Sequence, residues 1–110
     1  MPGSNVFTGT LDLLILRTLR GGPLHGYAIG RWIRETSAGV LQVEEGALYP
    51  ALHRLEKRGF VRAEWGETEL GRPGRFYRLT SAGTKRLKAE SARWREHARA
   101  VEAILEAMRG

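Results

Sequence analysis

From Ala82 to Met108 the chain runs almost without a helix breaker, and one stripe of that stretch is apolar or small. Leu87, Ser91, Trp94, Ala98, Val101, Leu105 and Met108 follow steps that alternate between four and three. That is a heptad-like seam on an otherwise charged segment, the pattern a long helix presents to another helix. Thr80-Ser81 offers an N-cap in front of it. The rest of the chain must therefore form a separate head, built from shorter elements.

The residues before the seam divide cleanly. Thr10 to Leu19 reads as a first, mostly buried helix, with Asp12, Arg17 and Thr18 as its polar breaks. Arg20-Gly21-Gly22-Pro23 ends it. A second helix starts near Gly26, takes Tyr27, Ile29, Trp32 and Ile33 as its apolar positions, and closes at Ser37-Ala38-Gly39. The stretch Val40 to Val43 is too short to assign by period. A third helix holds GALYPALHRLEKRG and ends at Gly59, a residue suited to a left-handed cap. Phe60 to Trp65 and Arg75 to Leu79 read as two strands joined by the loop Gly66 to Gly74, a hairpin with a projecting tip.

The third helix contains an anomaly. Leu48, Leu52 and Leu55 share a helix face, yet Pro50 lies between the first two. An interior proline costs about 3 kcal/mol through one lost hydrogen bond and a clash with the preceding turn. Gly46, four residues earlier, is expected to leave the proline ring the least crowding, and its unpaired carbonyl lies close enough to the helix start for water to reach.

Bulk properties narrow the partners. The chain has 110 residues, which fits one compact domain, and 18 Lys and Arg against 12 Asp and Glu give a net charge of +6. A polyanionic partner, nucleic acid or an anionic membrane surface, suits that balance, although basic charge also serves solubility alone. With no cysteine, disulfides, Cys-ligated zinc and thiol catalysis are excluded. The N-terminus MPGSNVFTGT shows no basic start followed by an apolar run, so no signal peptide is expected. The longest apolar run, LDLLIL, is broken by Asp12 and falls far short of the ~20 residues that span a bilayer. The expectation is a soluble, cytoplasmic chain without membrane contact. No nucleophile–base–acid set, phosphate-cradling glycine loop or metal-ligand spacing among His25, His53 and His97 supports an enzyme, a metal or a cofactor.

Three helices, a hairpin and a long helix define the expected fold class: mainly α with a small β-hairpin, a winged helix-turn-helix (1–80) plus a long C-terminal dimerisation helix (81–110). In that arrangement the third helix enters the major groove and the hairpin tip touches the flanking backbone.

At LDLLILRTL, GPLHGYAI, QVEEGALYPALHRLEKRGFVRAEWG and RFYRLTSAG the chain resembles the PadR-like transcriptional regulators, winged-helix repressors of bacteria. The likeness extends from about Gly9 to Leu105. The wording around QVEEG and LYPALHRLE resembles a branch common in acidobacteria. The single C-terminal helix resembles the shorter subgroup, which dimerises through that helix. Two departures stand out. Ala47 occupies a contact position where the branch often has Ser, so a hydroxyl-to-phosphate contact is missing. The wing carries Glu67 and Glu69, with only Arg72 and Arg75 as basic residues near its tip.

These readings name the candidate residues. Tyr49, His53, Arg54 and Lys57 lie off the leucine face of the third helix and can donate to base edges or phosphates, or touch a thymine methyl. The bland reading is a solvated face. Arg72 and Arg75 can neutralise phosphate or enter the minor groove, or sit in an ordinary loop. Tyr27 is core or a phosphate contact at the start of the second helix. Glu44 and Glu45 favour the positive end of the third helix over reading cytosine. Leu87, Ser91, Ala98, Val101 and Leu105 form the expected dimer interface. Trp94 admits two readings: packing within that interface, or a platform for a flat aromatic effector, as the resemblance to one multidrug-sensing relative implies. Glu90 and Glu102 on the same helix can complement a cationic ligand. The resulting expectation is a homodimeric regulator, a repressor on a palindromic operator, with ligand control left open. The competing class is a protein-interaction module.

Overall fold

In a computed structural model, residues 8–109 are described; the N-terminal reading on residues 1–7 lies outside them. Helix α1 spans Thr8–Leu19 and buries Leu11, Ile15, Leu16 and Leu19 on one face. Thr18 is buried among them because its hydroxyl donates to the Leu14 carbonyl at 2.7 Å, one turn back. Helix α2 spans Gly26–Thr36 and buries Ala28, Ile29 and Ile33. Helix α3 spans Glu45–Lys57 and buries Leu48, Ala51, Leu52 and Leu55. These three stripes meet in one core, closed by Val61, Tyr77 and Leu87.

Helix α3 stops as its sequence requires. Gly59 takes a φ of +82°, the Gly59 N–H donates to Glu56 and the Phe60 N–H reaches back to Leu55, both at 3.0 Å. This double closure satisfies carbonyls that the helix end would leave bare. At the other end Glu44 caps through its backbone only, and Glu45 sits in the first turn, where the dipole favours a carboxylate.

Pro50 lies inside α3, in its second turn. The expected reason for tolerance is only half right. A Cβ built on Gly46 would meet nothing within 4 Å, so the glycine does not make room for the ring. Helical Cβ bonds tilt toward the N-terminus, away from the residue four positions later. What remains is solvent access: Gly46 and Pro50 are both exposed, and water can take the carbonyl the proline leaves unpaired.

The sheet is larger than a hairpin. β1 (Leu24–His25), β2 (Val61–Glu67) and β3 (Pro73–Leu79) form an antiparallel sheet in the order β1-β3-β2. β1 is two residues long, too short for any periodicity to show, and pairs Leu24 with Tyr77 and His25 with Phe76. The β2–β3 ladder continues to Gly66↔Gly74 and Glu67↔Pro73, which shortens the expected loop to residues 68–72. Its glycines were misleading: a Cβ on Gly66 would come within 2.9 Å of the Phe76 ring, so that glycine is a packed strand residue. Pro73 sits at the first position of its strand, where no ladder donor is lost.

Helix α4 spans Ser81–Glu106. The Thr80 hydroxyl accepts from the Gly83 N–H at 3.0 Å and donates to the Gly59 carbonyl at 2.7 Å, while the Thr80 N–H donates to Phe60 at 3.1 Å. Gly83 is pressed onto the same spot; a Cβ there would stand 2.1 Å from the Phe60 carbonyl oxygen. The helix then leaves the head, giving a molecule of 62 × 29 × 21 Å. The seam is modified at both ends: Leu87 belongs to the core of the head, and Met108 lies beyond the helix. No helix among the described residues is long and apolar enough to cross a membrane.

Candidate nucleic-acid interface

Because α3 spends its leucine face on the core, its other face is bare. Tyr49, His53 and Lys57 are all exposed at successive four-residue steps, with Ala47 and Pro50 beside them. Tyr49 is 43% exposed and is placed by α2. Its ring and hydroxyl lie 2.7 Å from where a Cβ on Gly26 would stand, so a glycine at that position lets the ring keep its place. Gly26 is the first residue of α2, and His25 caps that helix by accepting from the Ala28 N–H at 3.4 Å. Tyr27 follows, 58% exposed, with the Arg31 guanidinium 5.7 Å from its ring centre. This exposure rules out the core reading of Tyr27. The two tyrosines thus flank the positive end of α2, an arrangement suited to a phosphate.

Arg54 stands apart from this group. Its Nη2 donates to the Asp12 carboxylate of α1 at 2.7 Å, which directs the side chain back across the head. Arg75, at mid-strand rather than at the wing tip, is tied to α3: its guanidinium bonds Glu56 at 3.1 Å and lies 6.0 Å from the Tyr77 ring centre. Arg72 is the exposed basic residue of the tip, where Gly71 has a φ of +75° and the Thr68 N–H donates to the Arg72 carbonyl at 2.8 Å. Burial raises the Tyr77 hydroxyl above its usual pKa of 10.0; Arg75 opposes the shift, and Glu56 and Tyr49 add to it. Tyr77 is therefore a neutral core residue beneath the site.

One exposed residue was missed from the sequence. Trp65 on β2 is 74% exposed, directly across the ladder from Arg75. The alternation Val61, Ala63, Trp65 places it on the face that begins in the core, and this pattern was available in the sequence.

On α4, Ser91 and Ala98 are half-buried, whereas Trp94, Val101 and Leu105 are exposed. Trp94 lines a groove of about 520 Å³ between α1 and α4, with Thr10, Leu13, Glu90 and His97. Glu90 already pairs with Arg86 and Arg93, at 3.1 and 3.2 Å, and Glu102 does not line this groove. The expected pair of carboxylates for a cation is thus not assembled there.

A three-helix head with a bare third helix, a sheet-borne wing and a long final helix is a winged helix-turn-helix of the DNA-binding regulator class. The transcriptional regulator PadR-like family model matches residues 15–89, and the chain belongs to that family. A transcriptional regulator of Mycobacterium tuberculosis is 40% identical over 73 residues, covering 66% of this chain and 67% of that protein. A transcriptional regulator from Clostridium thermocellum superposes with a TM-score of 0.81 at 30% identity, over 89% of this chain and 95% of that one. A PadR family transcriptional regulator from Eggerthella lenta gives 0.77 at 32% identity, over 91% and 85%.

Proposed function

We propose that the chain is a homodimeric repressor whose two heads read a palindromic operator. The observation that carries this is the bare seam of α4: Trp94 is 48% and Leu105 73% exposed on a helix that projects from its own head. Apolar residues repeating along a projecting helix call for a second helix. A two-fold pair of heads then sets the spacing of two half-sites.

In each head Tyr49, His53 and Lys57 meet base edges and phosphates in the major groove, next to the bare methyl of Ala47. Tyr27 and the start of α2 take a backbone phosphate. Arg72 neutralises phosphate at the wing, with Arg75 behind it. Arg54, held by Asp12, keeps N–H groups free for the backbone because a guanidinium has five. This role needs no catalysis or cofactor and places the chain in the cytoplasm.

Titration of duplex DNA from upstream of its own gene, at several salt concentrations, tests the reading. Specific binding with a steep negative salt slope is expected. Absence of binding at low salt would sink it and favour a protein-interaction module. Light scattering at micromolar concentration is expected to give a dimer, and a monomer would remove the α4 pairing.

Ligand control has its own support. Trp94 presents an exposed indole in the α1–α4 groove, where a flat aromatic compound can stack. Occupying the groove would change the angle between the heads and put one recognition helix out of register.

A further inference from the structure

We infer that Trp65 is a DNA contact, packing its indole on the sugar–phosphate strand that runs between the two grooves the head engages. The inference rests on the DNA-reading function above. It starts from the face on which Trp65 stands. In the β2–β3 ladder, Val61 pairs with Leu79, Ala63 with Tyr77 and Trp65 with Arg75. Val61 and Tyr77 are buried, so this face of the sheet looks toward the helices. Trp65 and Arg75 continue it past the edge of the core, and Arg75 reaches across to Glu56 of α3. Glu56 is the neighbour of Lys57 and lies one turn beyond His53. The indole therefore borders the gap between the recognition helix and the wing.

That gap has a defined occupant. With α3 in the major groove and the wing over the flanking minor groove, the strand separating the grooves passes between them. An indole suits this strand because its apolar body covers deoxyribose carbons and its single N–H can donate to a phosphate oxygen. Among the described residues little covers it: Trp65 is the most exposed of the three tryptophans, at 74%. Trp32 has Arg17 at 5.9 Å from its ring, and Trp94 belongs to the α4 groove.

The contact is largely uncharged, which gives it a signature. Trp65→Ala is expected to weaken binding to the upstream duplex about tenfold, near the low end of what stacking on a base is worth, with the salt slope unchanged. Trp65→Phe should recover part of the loss. Lys57→Gln, by contrast, should lower the slope by about one. Adding the duplex should change the emission of the wild type more than that of Trp65→Phe. Wild-type binding with Trp65→Ala within twofold of it, or an equal emission change in the wild type and Trp65→Phe, would overturn this contact alone. A wild-type chain that binds no duplex at low salt would overturn the DNA reading and this contact together.

Discussion

Arg54 on the recognition helix grips Asp12 on α1, with 2.7 Å between guanidinium nitrogen and carboxylate oxygen. The pair ties α3 to the opposite side of the head while Tyr49 and His53 remain free. On the proposed DNA-reading function, Arg54 can aim α3 through this pair or touch DNA itself.

Separate replacement of the two partners tells these roles apart. Arg54→Ala and Asp12→Asn should each lower stability modestly, with a coupling of about 1 kcal/mol or less because the pair is partly exposed. Equal losses of DNA affinity in both variants, measured by titration, mark aiming. A loss confined to Arg54→Ala marks direct contact.

Gly26 sets the position of Tyr49, so Gly26→Ala should cost DNA affinity more than stability. The new methyl meets the end of an exposed side chain, which can turn aside. The expected affinity approaches that of Tyr49→Ala, and combining the two substitutions should add little further loss. Full additivity in a binding titration would disprove this coupling.

Gly83→Ala is different, because its methyl meets backbone. The carbonyl oxygen of Phe60 would stand 2.1 Å away and cannot rotate clear. Urea unfolding should show a loss of about 1–3 kcal/mol, the usual range for overpacking.

Much of this was legible in the sequence, for identifiable reasons. Three aliphatic stripes, the Gly59 stop and the Thr80 cap each carry a local signal that the packed structure keeps. β1 left none, because two residues have no period. Gly66 and Gly74 were misread because glycine marks both a turn and a strand pressed by a side chain; a Cβ on Gly66 would stand 2.9 Å from the Phe76 ring and one on Gly74 2.6 Å from the Thr68 methyl. Arg54 and Arg75 looked like free cations because their carboxylates, Asp12 and Glu56, lie on other elements. Trp65 carried a readable signal in its strand alternation, while its exposure past the edge of the core was not readable.

Alkaline unfolding should report Tyr77. Its pKa is raised in the folded head, so above pH 10 the unfolded chain loses the phenolic proton first. Stability is unaffected by this group below pH 10 and falls as pH rises toward the raised native value. Tyr77→Phe should flatten that part of the curve. An identical decline in both proteins would show that the hydroxyl plays no part.

Trp94 can be tested with planar cationic dyes. Binding in the α1–α4 groove should quench wild-type emission more than that of Trp94→Phe, in which Trp32 and Trp65 still emit. Equal quenching in the two would remove Trp94 from any effector site.

The junction at Thr80 bears on how any signal would travel. One threonine caps α4 and also holds the Gly59 carbonyl, and Gly83 seats the first turn against Phe60. No slack linker separates arm from head, so α4 works as a crank fixed to its wheel. In the proposed dimer, a small turn of one arm against the other would therefore be passed to the head rather than absorbed at the junction. A few residues of flexible chain inserted after Leu79 are expected to uncouple the two, leaving a protein that pairs and binds DNA, on the reading proposed above, without holding its heads at a set separation.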